Sequence, residues 1–176
     1  MQISLTTVIL LSSWLSTGEV QQQPSKLAAV SPLLGSWQGS GELPGGSSFI
    51  VPELVYEWKL DQRVISFHST TNLPDGTTLQ KRMGTIFWDP SDNKVKMWVT
   101  DSTGGNIQAE LTGVKDADMS WDADAVLPDG RRVAFAFTIS IQGDAKHTVR
   151  RGEAIFEMQR KKTVEAKNDD TDKDST

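Results

Sequence analysis

Strict alternation of apolar and polar residues is the feature that most constrains the fold of this chain. The clearest run lies between Arg132 and Gln142, and its apolar members are Val133, Phe135, Phe137, Ile139 and Ile141. A period of two places successive side chains on opposite faces, so this run predicts a β-strand with one buried face. Shorter runs of the same kind recur from Leu33 to Arg160, and no amphipathic helix is evident between them.

Turn sequences separate these runs. Pro74-Asp75-Gly76 and Pro128-Asp129-Gly130 each place a residue of fixed φ before a glycine that accepts a positive φ, so both predict hairpins. A long meander exposes two sheet edges unless it closes on itself. The sequence therefore predicts an all-β fold, a single antiparallel up-and-down barrel of about eight to ten strands, in residues 33–160.

The two ends of the chain differ in composition from the barrel segment. Residues 1–15 contain an apolar run with no charge before Glu19, which is typical of a signal peptide and too short for a membrane span. We therefore predict a signal peptide in residues 1–18, a linker in residues 19–32 and a secreted or periplasmic location. A buried N-terminal helix is the alternative. Residues 161–176 are nearly devoid of apolar side chains and are predicted to form a disordered polar tail.

Charge and composition disfavour several classes of function. The formal net charge of −5 disfavours nucleic acid as a partner, and the absence of cysteine excludes disulfides, zinc–thiolate sites and thiol nucleophiles. The histidines, His68 and His147, lie on different predicted strands without the partners that a nucleophile needs. The aspartates between Asp116 and Asp124 lack the spacing of a calcium loop. We therefore predict that the chain is not an enzyme and uses no cofactor or metal ion.

The segment Leu34-Gly35-Ser36-Trp37 resembles the Gly-x-Trp opening of lipocalin-like, or calycin, barrels. The resemblance implies that Trp37 closes one end of the barrel against a basic residue of the last strand, Arg160, with Arg150 or Arg151 as substitutes. Residues 84–90, 97–105 and 126–131 are similar to an uncharacterised bacterial lipocalin-like domain that is sometimes found behind a SnoaL-like domain. This resemblance implies a fold more than a function.

A barrel of this size is either packed solid or holds one small ligand. The residues predicted to line a ligand pocket are Tyr56, Trp58, Phe67, Trp121, Phe135 and Phe137. Polar side chains such as Glu57, His68 or Arg82 are candidates to fix the head group of a ligand. We therefore predict an exported binding module for a small, mostly apolar ligand.

Two alternatives to this function remain open. Nitrobindin-like barrels resemble the predicted architecture and hold heme iron through one histidine of a late strand, a position that His147 matches only roughly. The resemblance implies a heme-binding or isomerase-like barrel. The other alternative is a structural or interaction domain whose barrel is filled by its own side chains.

Overall fold

The fold is a closed antiparallel barrel of ten strands, seen in a computed structural model that describes residues 26–43 and 45–162. Each strand pairs with the next one along the chain, and the first strand pairs with the last. The strands are β1 (Gly35–Glu42), β2 (Ser48–Lys59), β3 (Val64–Asn72), β4 (Thr78–Asp89), β5 (Lys94–Asp101), β6 (Asn106–Lys115), β7 (Asp118–Val126), β8 (Arg132–Gln142), β9 (Lys146–Arg151) and β10 (Ala154–Arg160). The predicted all-β up-and-down barrel is confirmed.

Closure depends on the close approach of β1 and β10. Trp37 lies opposite Arg160 in the register, and Gly39 lies opposite Met158. A Cβ atom at Gly39 would lie only 2.0 Å from the carbonyl oxygen of Glu157. Glycine at this position therefore allows the two strands to pair, because it leaves room for the neighbouring backbone.

The two predicted Pro-Asp-Gly hairpins join β3 to β4 and β7 to β8. Gly76 and Gly130 adopt φ values of 88° and 82°, which an L side chain would rarely tolerate. The Asp75 carboxylate accepts a hydrogen bond of 2.8 Å from the Thr77 amide. These turns lie at the same end of the barrel as the β5–β6 and β9–β10 turns, because neighbouring strands alternate in direction.

A short 3-10 helix, Ala28–Leu33, packs at the opposite end of the barrel. Leu27, Val30 and Leu33 are fully buried. The described part of the predicted linker, residues 19–32, therefore contributes to the core, because its apolar residues recur every three positions and face the barrel. The predicted signal peptide, residues 1–18, and the predicted tail beyond residue 162 lie outside the described residues. Within the described part, no helix has the length and apolar character that would let it cross a membrane.

Candidate functional site

The interior of the barrel is packed solid in the half next to the 3-10 helix. Inward-facing side chains that are fully or almost fully buried there are Trp37, Ile65, Ile86, Met119 and His147. The other half, toward the β3–β4 and β9–β10 turns, contains a cavity of about 200 Å³. The barrel is therefore neither completely filled nor completely hollow.

The cavity has mostly apolar walls. Its lining consists of Phe49, Val51, Leu54, Tyr56, Phe67, Ser69, Thr71, Arg82, Met97, Val99, Ile107, Phe135, Phe137, Ile139, Val149, Arg151, Phe156 and Met158. Alternation explains this composition, because every second residue of each strand points inward. Apolar walls with a few polar groups are typical of small-molecule sites.

The polar part of the lining is gathered toward one end of the cavity. Ser69 lies directly opposite Arg82 in the β3–β4 register, and Thr71 is two residues closer to the turn on the same face of β3. Arg151 is the last residue of β9 and is exposed, so the cavity reaches solvent at this end. The site is therefore apolar in its depth and basic at its mouth.

Arg82 projects into the cavity from β4. Its Nε atom is buried and has no hydrogen-bond partner among the described residues. Burial lowers the pKa of its guanidinium, Asp101 opposes this effect, and the charge of Arg151 lowers the pKa further. The two guanidinium groups therefore act on each other inside one partly buried space.

Arg151 is positioned by an aromatic ring. Its guanidinium carbon lies 3.7 Å from the centroid of the Phe135 ring, within the range of a cation–π contact. Phe135 also packs on Phe137, with ring centroids 6.1 Å apart. The aromatic wall of β8 thus supports the charged group at the mouth of the cavity.

The closed end of the barrel centres on Trp37. Its indole Nε1 donates a hydrogen bond of 2.7 Å to the Leu33 carbonyl, and the Arg160 guanidinium carbon lies 4.3 Å from its ring centroid. Arg160 also donates to the carbonyl oxygens of Leu34, Pro32 and Asp144. Trp37 and Arg160 together tie the 3-10 helix to the barrel.

His147 lies beneath Trp37, on the inward face of β9. The two rings make an edge-to-face contact with centroids 4.4 Å apart, and His147 is fully buried. Neither ring nitrogen has a hydrogen-bond partner among the described residues. Burial and the positive charge of Arg160 lower the pKa of His147 to about 4, so the imidazole is neutral at physiological pH.

Tyr56 brings a phenolic hydroxyl to the lining of the cavity. The Tyr56 ring packs on Phe67 with centroids 5.2 Å apart, across the β2–β3 register. Burial raises the pKa of its hydroxyl far above the ordinary value, so the group stays protonated at physiological pH. Tyr56 can therefore act as a neutral hydrogen-bond donor toward a ligand.

The predicted pocket residues divide into two groups. Tyr56, Phe67, Phe135 and Phe137 line the cavity. Trp121 is fully buried and stacks on Phe137 at 6.0 Å, and half-buried Trp58 packs against the core, so both lie outside the lining. The pleat of a strand predicts which face a residue occupies, but not its depth along the barrel.

Of the three polar candidates, only Arg82 lines the cavity. Glu57 is exposed and hydrogen-bonded to Lys59, and His68 is exposed with its Nε2 atom 3.9 Å from Glu53. Glu57 and His68 directly follow the inward-facing residues Tyr56 and Phe67 in their strands, so their side chains lie on the outer face of the barrel. Arg151 was missed as a pocket residue, although it lies two positions after Val149 and shares its face. Among the described residues, no group of histidine or acidic side chains is arranged to hold a metal ion.

Comparison with solved structures shows the same fold elsewhere. Rv2717c from M. tuberculosis superposes with a TM-score of 0.58 at 20% sequence identity, over 78% of this chain and 98% of that protein. A de novo designed fluorescence-activating β-barrel gives a TM-score of 0.42 at 14% identity, over 76% of this chain and 97% of the design. The first of these similarities supports the barrel fold.

Comparison with protein families gives a match over most of the chain. Residues 26–166 match the family described as "THAP4-like, heme-binding beta-barrel domain". No curated protein is significantly similar to the sequence. The family match begins next to the 3-10 helix and spans all ten strands.

Proposed function

Because the chain belongs to the THAP4-like, heme-binding β-barrel domain family, we propose that it is a binding module that holds a small, mostly apolar molecule inside its barrel. The observation that carries this proposal is the cavity of about 200 Å³, which has apolar walls and a few polar groups at its mouth. Burial of the apolar part of a ligand against these walls supplies the binding free energy. The secreted or periplasmic location stays a prediction, since residues 1–18 lie outside the described residues.

Heme is the ligand that the family description names, and part of the site fits it. A porphyrin has an apolar ring and two carboxylates, which correspond to the apolar walls and to Arg82 and Arg151 at the mouth. When bound, heme supplies an iron atom that needs an axial donor from the protein. The residues that would hold its iron must therefore be sought in the lining.

The lining does not supply an imidazole for iron. Its other oxygen and sulfur atoms of uncharged side chains are the protonated hydroxyl of Tyr56, the hydroxyls of Ser69 and Thr71 and the thioethers of Met97 and Met158. His147 is on the inward face but lies under Trp37, outside the lining. The cavity volume is also below the ~300 Å³ at the lower limit of ordinary ligand pockets. The described residues therefore do not fit histidine-ligated heme in this conformation.

Heme binding remains the second candidate function, favoured by the family and by the two unpartnered nitrogens of His147. Because the lining supplies no imidazole in this structure, however, we expect that hemin added to the purified protein produces no sharpened Soret band and no spectral change that depends on His147. The measurement is an absorbance titration of the wild type and of His147→Leu. A stoichiometric Soret band that disappears in His147→Leu would establish heme as the ligand and His147 as the residue that holds its iron.

The apolar-ligand proposal is tested with the neutral probe 2-naphthamide. We expect binding by isothermal titration calorimetry with Kd on the order of 0.1 mM, about −5.5 kcal/mol, because the cavity contributes apolar contacts without a charge partner. Phe137→Trp, which adds volume to the lining, should weaken binding about tenfold or more. Trp98→Phe changes an exposed outer aromatic residue and should leave binding unchanged. Absence of binding to the folded wild type at millimolar probe would favour the structural alternative.

A further inference from the structure

The mouth of the cavity carries two positive charges that the described protein does not neutralise directly. Arg82 and Arg151 both line the cavity, and neither takes part in an ion pair among residues 26–43 and 45–162. The buried Nε atom of Arg82 also has no hydrogen-bond partner there. A partly buried guanidinium without a partner is costly, so this arrangement is poised to accept an anion.

The carboxylate of Asp101 lies next to Arg82 but forms its hydrogen bonds with other residues. Asp101 lies opposite Arg82 in the β4–β5 register. One of its oxygens accepts hydrogen bonds from the Thr103 amide and hydroxyl and from the Gly105 amide, and the other accepts one of 2.6 Å from Gln80. These bonds shape the β5–β6 turn, so Asp101 stabilises the mouth without forming an ion pair with either arginine.

We propose that Arg82 and Arg151 bind the carboxylate of a small amphiphilic acid whose apolar part fills the cavity. This inference rests on the proposed function and names the ligand class for the same site. Guanidinium groups bind carboxylates through paired, charge-assisted hydrogen bonds. The hydroxyls of Ser69 and Thr71 lie at the same end of the cavity and add neutral donors.

The volume of the cavity limits the size of this acid. An apolar cavity of about 150 Å³ is large enough for benzene, so a cavity of about 200 Å³ suits an aromatic or medium-chain acid. In this arrangement the carboxylate of the acid lies at the mouth, where Arg151 is exposed, and its apolar part packs against Phe137 and Ile139. A free acid of this kind needs no metal ion for its recognition.

The test compares 2-naphthoate with 2-naphthamide, which have nearly the same shape and differ in charge. By isothermal titration calorimetry at low salt, we expect the wild type to bind the naphthoate at least tenfold more tightly than the amide. Arg82→Gln and Arg151→Gln should each reduce that ratio about tenfold, because each removes a positive charge that pairs with the carboxylate of the naphthoate and that the neutral amide does not need. Arg150→Gln is the matched control, because Arg150 is the exposed, outward-facing neighbour of Arg151 on β9.

The outcomes separate this inference from the proposed function. Equal binding of the two probes by the wild type would overturn the anion site while the cavity proposal stands, whereas absence of binding of both would overturn the proposed function itself. If Arg82→Gln fails to fold, Arg151→Gln carries the test, because Arg151 is exposed, and an unchanged ratio of naphthoate to amide binding in that variant would contradict the inference. Tighter binding of 2-naphthyl phosphate than of 2-naphthoate would overturn the assignment of a carboxylic acid.

Discussion

Replacing Trp37 with alanine is expected to lower the free energy of unfolding by about 4 to 6 kcal/mol. Removal of a buried Trp side chain costs ~3 to 5 kcal/mol, and the cation–π contact with Arg160 adds ~0.5 to 2 kcal/mol. The substitution also removes the hydrogen bond of 2.7 Å from the indole to the Leu33 carbonyl. A loss of this size is a large fraction of the ~5 to 15 kcal/mol that stabilises an ordinary domain. Urea-induced unfolding, followed by circular dichroism, measures it.

The control for this experiment is Trp98→Ala. Trp98 has the same chemistry but lies on the outer surface, where its side chain is 54% exposed and contacts Phe87. We expect this variant to lose less than about 1 kcal/mol, as is usual for surface positions away from special contacts. If Trp37→Ala is too unstable to purify, Trp37→Phe retains a ring under Arg160 and should lose roughly half as much. Similar losses for Trp37→Ala and Trp98→Ala would show that the closed end does not depend on Trp37.

The parts of the fold that the sequence predicted are those governed by local periodicity. The alternation in residues 132–142 predicts β8 with the bounds that the structure gives, Arg132–Gln142. Pro-Asp-Gly sequences predicted two of the hairpins, because the ring of Pro fixes its φ and Gly, which has no Cβ, accepts a positive φ. Closure followed from the need to pair two sheet edges. None of these inferences required knowledge of distant contacts.

The 3-10 helix shows what local patterns leave out. Residues 19–32 were predicted as a linker, since residues 20–25 follow the predicted signal peptide and are mostly polar. Leu27, Val30 and Leu33 become buried only because the assembled barrel presents an apolar end that they cover. This burial comes from tertiary packing, which a short window of sequence does not contain.

The sequence predicted most of the aromatic residues that line the cavity, but only one of the two arginines at its mouth. The alternation of side chains along β8 predicted that Phe135 and Phe137 point inward, and both line the cavity in the structure. Arg151 was considered only as a partner of Trp37, because the depth of each strand end along the barrel is set by register and shear. Those quantities depend on pairing between strands, so the meeting of Arg82 and Arg151 could not be read from either strand alone.

The resemblance to lipocalin-like barrels correctly predicted the architecture of the protein but did not predict the family to which it belongs. The ten-stranded closed barrel agrees with it, and the contact between Trp37 and Arg160 has the geometry that the resemblance implies. The family match over residues 26–166, however, is to a heme-binding β-barrel domain. The similarity to the domain found behind SnoaL-like domains stays a prediction. A shared motif at the closed end therefore says little about the ligand at the open end.

A second large effect is expected in the pH dependence of stability, and it comes from His147. The pKa of His147 is about 4 in the folded protein, against ~6.5 for an unperturbed histidine, so the unfolded state binds more protons between these values. Stability should therefore be lowest below pH 4, rise as the pH increases to 6.5 and then level off. A difference of about 2.5 pKa units corresponds to roughly 3 kcal/mol.

Two variants separate this titration from that of the carboxylates, several of which also lower stability as they are protonated in acid. The hydrogen bonds from Lys96 and Ser91 lower the pKa of Asp89, for example, so its contribution is lost as the pH falls through that lowered value. His147→Leu and His147→Asn both remove the imidazole, and each should flatten the wild-type rise between pH 4 and pH 6.5 relative to the parent. Only His147→Leu replaces the two unpartnered buried nitrogens with apolar atoms, whereas His147→Asn buries an amide instead, so at pH 8 His147→Leu should be at least as stable as the wild type. Urea unfolding of the three proteins at intervals from pH 4 to pH 8 measures both effects. A wild-type profile that stays parallel to that of His147→Leu across this range would show that the imidazole is not buried in its neutral form.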